Sequence, residues 1–247
     1  MAKYTAMALK AGFIIMGCIT SAAVIYTVVT DGLPFRKDLL TPWMTATLVD
    51  FYINVTVFAV WVCYKESSWI AAALWVILLV CFGSITTCLY ITIQLFLLTA
   101  KESEDDPMYH ILLRHQNRKD VGKRSSCQII TARIAFSVLG CLMSGVLLYT
   151  ILTDGSPFRK DIITPWLTTT LIDFYINVAA LSVWIGYKES SWIMAFIWIV
   201  LLICSGSIAT CAYIVRYLLL LSPDDPLELV LLNSHHRAES RYEAASW

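Results

Sequence analysis

Residues 69–98 read WIAAALWVILLVCFGSITTCLYITIQLFLL, thirty residues without a single charge. A near copy, WIMAFIWIVLLICSGSIATCAYIVRYLLLL, fills 192–221 with Arg216 as its one charge. About 20 apolar residues carry a helix across a bilayer, and thirty make a rod of about 45 Å. One crossing helix, tilted, kinked near Gly83 and Gly206 or projecting from the bilayer, is therefore expected of each stretch. No proline or polar turn divides either one, so two short helices are not expected. How these stretches cross decides the architecture, because every other apolar segment has a simple length.

The chain around them is mostly apolar. Of its 247 residues 58% are hydrophobic and 15% charged, where a soluble domain carries about 25% charged residues. Nine Trp and twelve Tyr suit membrane interfaces. The composition is that of an all-α integral membrane protein with the bilayer as its first partner. The first apolar run, 11–30, is too long for a signal-peptide core and reads as a retained span. Formal net charge is zero, which gives no electrostatic ground for a nucleic-acid partner. Seven of the eight cysteines lie in or beside apolar segments, without CxxC or Cys/His spacing, and read as small packing residues.

The chain is also a duplication. Residues 31–91 align without a gap to 154–214, identical at 40 of 61 positions. DGLPFRKD answers DGSPFRKD, TPWMTATLVDFYIN answers TPWLTTTLIDFYIN, and YKESSWI occurs twice. Two units follow, 1–122 and 123–247, each a three-helix repeat with a polar linker or tail. Spans are expected at 8–30, 42–64 and 69–98, then at 131–153, 165–187 and 192–221. Thr41-Pro42 and Thr164-Pro165 read as N-cap and first helical residue, Ser68 and Ser191 as caps of the third helices. Asp-Asp-Pro in the linker and in the tail reads as a helix start. Three spans per unit is an odd number, so the second unit enters from the opposite side. The expected architecture is six transmembrane helices in inverted 3+3 repeats, with a pseudo-two-fold axis in the membrane plane.

Of eighteen acids, only Asp50 and Asp173 sit well inside spans. The spacing Thr47, Asp50, Asn54 follows one helical face, and Thr170, Asp173, Asn177 repeats it. A charge facing lipid is costly, so this face looks into the bundle or into water. Ser84, Thr87, Ser207 and Thr210 offer hydroxyls from the third segments, beside glycines that permit close approach. Lys10 and Arg133 either pair with an acid or snorkel to the headgroups. Two readings of the stripe stand: a site for a cation or proton, or glue between packed helices.

Catalytic and metal patterns are thin. His110, His115, His235 and His236 fall in polar segments without zinc-site spacing, and no nucleophile elbow or phosphate loop occurs. The pattern names no cofactor. The DGxPFRKD, TPWxTxTLxDFYIN and YKESSWI blocks resemble a small family of uncharacterised plant multi-pass membrane proteins, classed as a domain of unknown function. That resemblance covers essentially the full chain and implies a multi-pass membrane protein with no known activity. The leading expectation is a transporter or channel for a small ion or solute. A non-transporting scaffold or assembly factor comes second, and an intramembrane enzyme acting on a lipid or isoprenoid third.

Overall fold

In a computed structural model, residues 2–34, 36–113, 126–157, 159, 162–221 and 227–233 are described, and every regular element among them is helical. Helix α1 spans Ala2–Asp31 and α2 spans Pro42–Lys65. Thr41 caps α2 through its side chain, which accepts from the Met44 N–H, and Pro42 opens the first turn. Thr164 does the same for α8 (Pro165–Lys188), accepting from the Leu167 N–H. Proline fits there because its missing N–H would have had no partner in that turn. Ser68 and Ser191 hold the N-cap positions of the next helices without a side-chain cap bond.

The third segment is where structure and expectation part. It forms two helices, α3 (Trp69–Phe82) and α4 (Ser84–Leu97), separated by Gly83. Trp75 and Tyr90 would lie about 22 Å apart along one continuous helix, yet their ring centroids are 4.9 Å apart. The Thr86 hydroxyl donates back across the turn to the Leu78 carbonyl at 2.9 Å. The two limbs therefore fold against each other as a helical hairpin. The second copy repeats the arrangement: α9 (Trp192–Ser205) and α10 (Ser207–Leu219) bring Trp198 and Tyr213 to 5.0 Å. Among the described residues, four helices are long and apolar enough to cross a membrane: Tyr4–Asp31, Pro42–Lys65, Gln128–Asp154 and Pro165–Lys188.

Between the units run two short helices, α5 (Ala100–Glu104) and α6 (Pro107–Leu112), then α7 (Ser126–Asp154) and α8 (Pro165–Lys188). Asp106 caps α6, its carboxylate accepting from the Met108 and Tyr109 N–H groups. That is the helix start read in the linker. The matching Asp-Asp-Pro of the tail lies outside the described residues, as do His115, His235 and His236. Leu227–Val230 beyond it forms a short 3-10 turn.

The hairpins change the relation between the two units. At one end of α2 and α8, Trp43, Met44, Trp166 and Leu167 share a buried cluster with Leu39 and Ile162. At the other end, Lys65 donates to the His110 carbonyl at 2.8 Å and Tyr187 to Asp106 at 3.0 Å. Both contacts fall on α6 and its cap. Helices α2 and α8 thus run in the same direction. This corrects the expected six-helix inverted arrangement: the units are related in parallel, and the third segments do not form single rods.

Contacts follow that relation. Helix α1 packs on α4 of its own unit and α8 of the other, and α7 packs on α10 and α2. At the centre α2 meets α8, with α4 against α8 and α10 against α2.

Candidate functional site

Each hairpin turns on a glycine that no other residue fits. Gly83 has φ 51° and ψ −125°, and Gly206 has φ 54° and ψ −128°. Such angles are essentially restricted to glycine. The Gly83 N–H still bonds to Leu79 at 2.9 Å, and its carbonyl accepts from the Thr87 N–H at 3.2 Å. What the turn leaves over is the start of α4, whose first N–H groups have no helical partner and carry the positive end of the helix dipole.

Asp173 fills that position. Its Oδ1 accepts from the Ser84 N–H at 2.7 Å. Asp50 does the same for the other hairpin, accepting from the Ser207 N–H at 2.7 Å. Each acid comes from the opposite unit, so the two bonds form a reciprocal clasp. An anion at a helix N-terminus gains both a charge-assisted hydrogen bond and the dipole interaction. On the other limb, the Val80 carbonyl freed by the turn accepts from the Tyr52 hydroxyl at 3.4 Å.

One helical turn further along lie Asn54 and Asn177, both fully buried. Asn54 accepts from the Thr210 hydroxyl at 2.8 Å. Among the described residues, Asn54 Nδ2 and both polar atoms of the Asn177 amide lack a hydrogen-bond partner. Leaving buried polar atoms unbonded costs about 1–3 kcal/mol each. Thr87, the counterpart of Thr210, bonds only its own turn, at Gly83 O. The Ser84 hydroxyl meets Thr20 at 3.1 Å.

The structure thus brings Asp50 to Ser207, Asp173 to Ser84, and Asn54 to Thr210. Thr47 and Thr170 are not brought in: each hydroxyl bonds back to its own helix, at Trp43 O and Trp166 O, both at 2.9 Å. Among the described residues, neither basic residue meets an acid. Arg133 donates to the Leu218 and Leu221 carbonyls at the end of α10, and Lys10 lies 4.8 Å over the Phe96 ring.

Sequence reasoning missed a second repeated cluster at the open ends of the hairpins. The Tyr90 hydroxyl donates to Glu66 at 2.8 Å, with Trp61 and Trp75 edge-on to the ring. Tyr213 and Tyr217 donate to Glu189 at 3.1 and 2.6 Å. The constant spacing of 24 residues from Glu66 to Tyr90 and from Glu189 to Tyr213 was the available signal. The repeated tryptophans divide by role. Trp61 and Trp184 donate to Leu112 O and Leu231 O, both at 3.3 Å. Trp69 and Trp192 stay about four-fifths exposed, as anchors at an interface do.

A family model described as "Protein of unknown function (DUF1475)" matches the chain twice, over residues 5–119 and 115–238. The chain belongs to this family. No curated protein and no solved structure shows a match to this DUF1475 chain. The family carries no stated activity, so the reading of its centre rests on the geometry of the clasp.

Proposed function

We propose that this membrane protein is a carrier or channel for a small cation or proton. Its site would lie where Asp50, Asn54, Ser207 and Thr210 of one clasp face Asp173, Asn177, Ser84 and Thr87 of the other. The observation that supports it best is the set of unbonded amide atoms of Asn54 and Asn177, buried one turn from two carboxylates. A cation can be met by Asn177 Oδ1, and water that accompanies it can accept from the two Nδ2 groups, which offsets the cost of leaving such atoms bare. Broken helices near the middle of a span are also the usual architecture of transport sites, because non-helical backbone survives there only where protein or a cavity answers it.

The clasp suggests how occupancy would act. A carboxylate that takes up a cation or proton loses part of its attraction for the positive end of α4 or α10. Binding would then loosen the hairpin on that side, and the second clasp would hold the other. In this reading α1, α2, α7 and α8 cross the membrane and the hairpins enter it and return, with the pseudo-two-fold axis along the membrane normal. Charge agrees. The segments before α1, between α4 and α7 and after α10, with the helix ends they adjoin, hold twelve Lys and Arg residues, and Lys65 and Lys188 at the ends of α2 and α8 add two on the same side. The two DGxPFRKD loops hold the remaining four of eighteen. Such a bias puts the linker side in the cytoplasm. In a cysteine-free background, Arg36→Cys and Arg159→Cys are expected to label from one face and Lys101→Cys from the other. Labelling of positions 36 and 159 from opposite faces would restore inversion.

Flux across reconstituted vesicles tests the function, with monovalent and divalent cations and a pH gradient as the panel. Asp50→Asn with Asp173→Asn keeps shape and removes charge, so flux is expected to vanish in a folded double variant. The scaffold reading is favoured by one observation, that both Oδ1 atoms are already bonded to backbone. Absence of protein-dependent flux for every member of the panel, or unchanged flux in the double variant, decides for the scaffold.

A further inference from the structure

A second feature lies on the pseudo-symmetry axis, towards the linker end of the bundle. A cavity of about 630 Å³ opens there between the two units. Its walls come in equivalent pairs, among them Phe13 with Phe136, Trp61 with Trp184 and Leu95 with Leu218. Met108 and Ile111 of α6, with Leu227 and Val230 of the tail, close its end in the same paired way. The volume falls within the ~300–1,000 Å³ of small-molecule sites.

Three polar groups on its wall are bonded to backbone carbonyls. The Thr56 hydroxyl donates to Tyr52 O at 2.8 Å, and the indole N–H groups of Trp61 and Trp184 donate to Leu112 O and Leu231 O. An apolar space of this kind does not hold ordered water. Left empty, its apolar lining would lose the packing contacts a filling group supplies. Something apolar belongs in it.

The wall is symmetric except on one side. Thr56, Cys63 and Tyr64 of α2 and Gln128, Thr131 and Ala135 of α7 line the cavity, whereas their counterparts on α8 and α1 do not. Thr56, Cys63, Gln128, Thr131 and Ala135 are exposed, so the open side of the cavity lies along the face where α2 and α7 meet. Counted back from Lys65, Thr56 lies about 13 Å into its helix, the depth at which a bilayer presents hydrocarbon. A shallow groove along α2, past Leu48 and Tyr52, shares Thr56 and Leu139 with the cavity. Cavity and groove thus adjoin at Thr56 and Leu139 and form one apolar track.

We propose that this track binds one acyl chain of a membrane lipid, which enters from the bilayer between α2 and α7. The apolar lining and its continuation along α2 suit a hydrocarbon chain, and the level of the opening selects the molecules that surround the protein there. The inference stands apart from the transport reading, since it involves neither Asp50 nor Asp173.

The test uses the full chain in phosphatidylcholine nanodiscs doped with phosphatidylcholine carrying a diazirine in one acyl chain. After irradiation, labelled peptides are mapped by mass spectrometry. Labels are expected to concentrate on Val57, Phe136 and Leu139 and to saturate near one lipid per protein. Ala135→Trp at the opening is expected to reduce them about tenfold, while Ala73→Trp on the exposed face of α3 leaves them unchanged. Leu139→Trp serves the same purpose if Ala135→Trp does not fold. Labels spread evenly over exposed faces, labels unaffected by either blocking variant, or chain-to-chain cross-links through Cys63 in place of lipid labels would each overturn the assignment. Loss of ion flux in the aspartate variants changes none of these readouts, so the two readings fail separately.

Discussion

Gly83→Ala or Gly206→Ala is expected to destabilise the protein by about 2–6 kcal/mol, read as a loss of folded chain in detergent denaturation. Two independent costs add. An alanine held at φ near +50° with strongly negative ψ carries about 1–3 kcal/mol of backbone strain. Its Cβ then has no room: at position 83 it would lie 2.5 Å from Phe51 Cζ and 3.0 Å from Asp173 Oδ1, and at 206 it would lie 2.8 Å from Asp50 Cγ. Overpacking of that kind costs a further ~1–3 kcal/mol. The groups met are not free ends that swing aside, since the carboxylates are the clasp itself. Gly145→Ala is the control, because a Cβ there meets nothing within 4 Å. If all three variants unfold at the same denaturant concentration, the hairpin turn is not what Gly83 and Gly206 are for.

The turn at these glycines is also where the sequence was least legible. Duplication, the Thr-Pro helix starts, the half-buried acids and their approach to the third segments could all be read from local pattern. The hairpin could not, because turns are usually announced by proline or by polar residues that satisfy the freed backbone nearby. Here the satisfying group for the Ser84 N–H is Asp173, 89 residues away, and for Ser207 it is Asp50, 157 residues away. A non-local cap leaves no local signature. One trace existed: the stretch before Gly83 is wholly apolar, while SITT follows it at once. The consequence of missing it is disproportionate, since one misread turn changes the parity of a unit and inverts everything after it. The lysine and arginine bias became legible only with the parity corrected.

The largest effect of a side-chain change away from the glycines is expected at the clasp. Asp50→Ala or Asp173→Ala removes a hydrogen bond from a charged group, worth about 1.5–3 kcal/mol, and an anion at a helix N-terminus, worth about 0.3–1 kcal/mol and up to ~2 when partly buried. Each single variant is therefore expected to lose about 2–4 kcal/mol. The same carboxylate at the surface would matter far less. Asp31, paired with Arg36 at 2.8 Å in an exposed loop, is expected to cost at most about 1 kcal/mol when changed to alanine. Asparagine separates charge from shape: its carbonyl still accepts from the Ser84 or Ser207 N–H, and the buried ion's desolvation cost disappears. Asp50→Asn and Asp173→Asn should accordingly stay close to wild type in stability. The two clasps join the same two units in opposite senses, so the double alanine variant is expected to depart from the sum of the singles. Once one hairpin is released, the interface that positions the other acid is already loosened. Thermal unfolding in detergent micelles, run as a double-mutant cycle, measures that departure. Should Asp50→Ala prove as mild as Asp31→Ala, the acid does not hold the hairpin, and the reciprocal clasp is not what joins the two units.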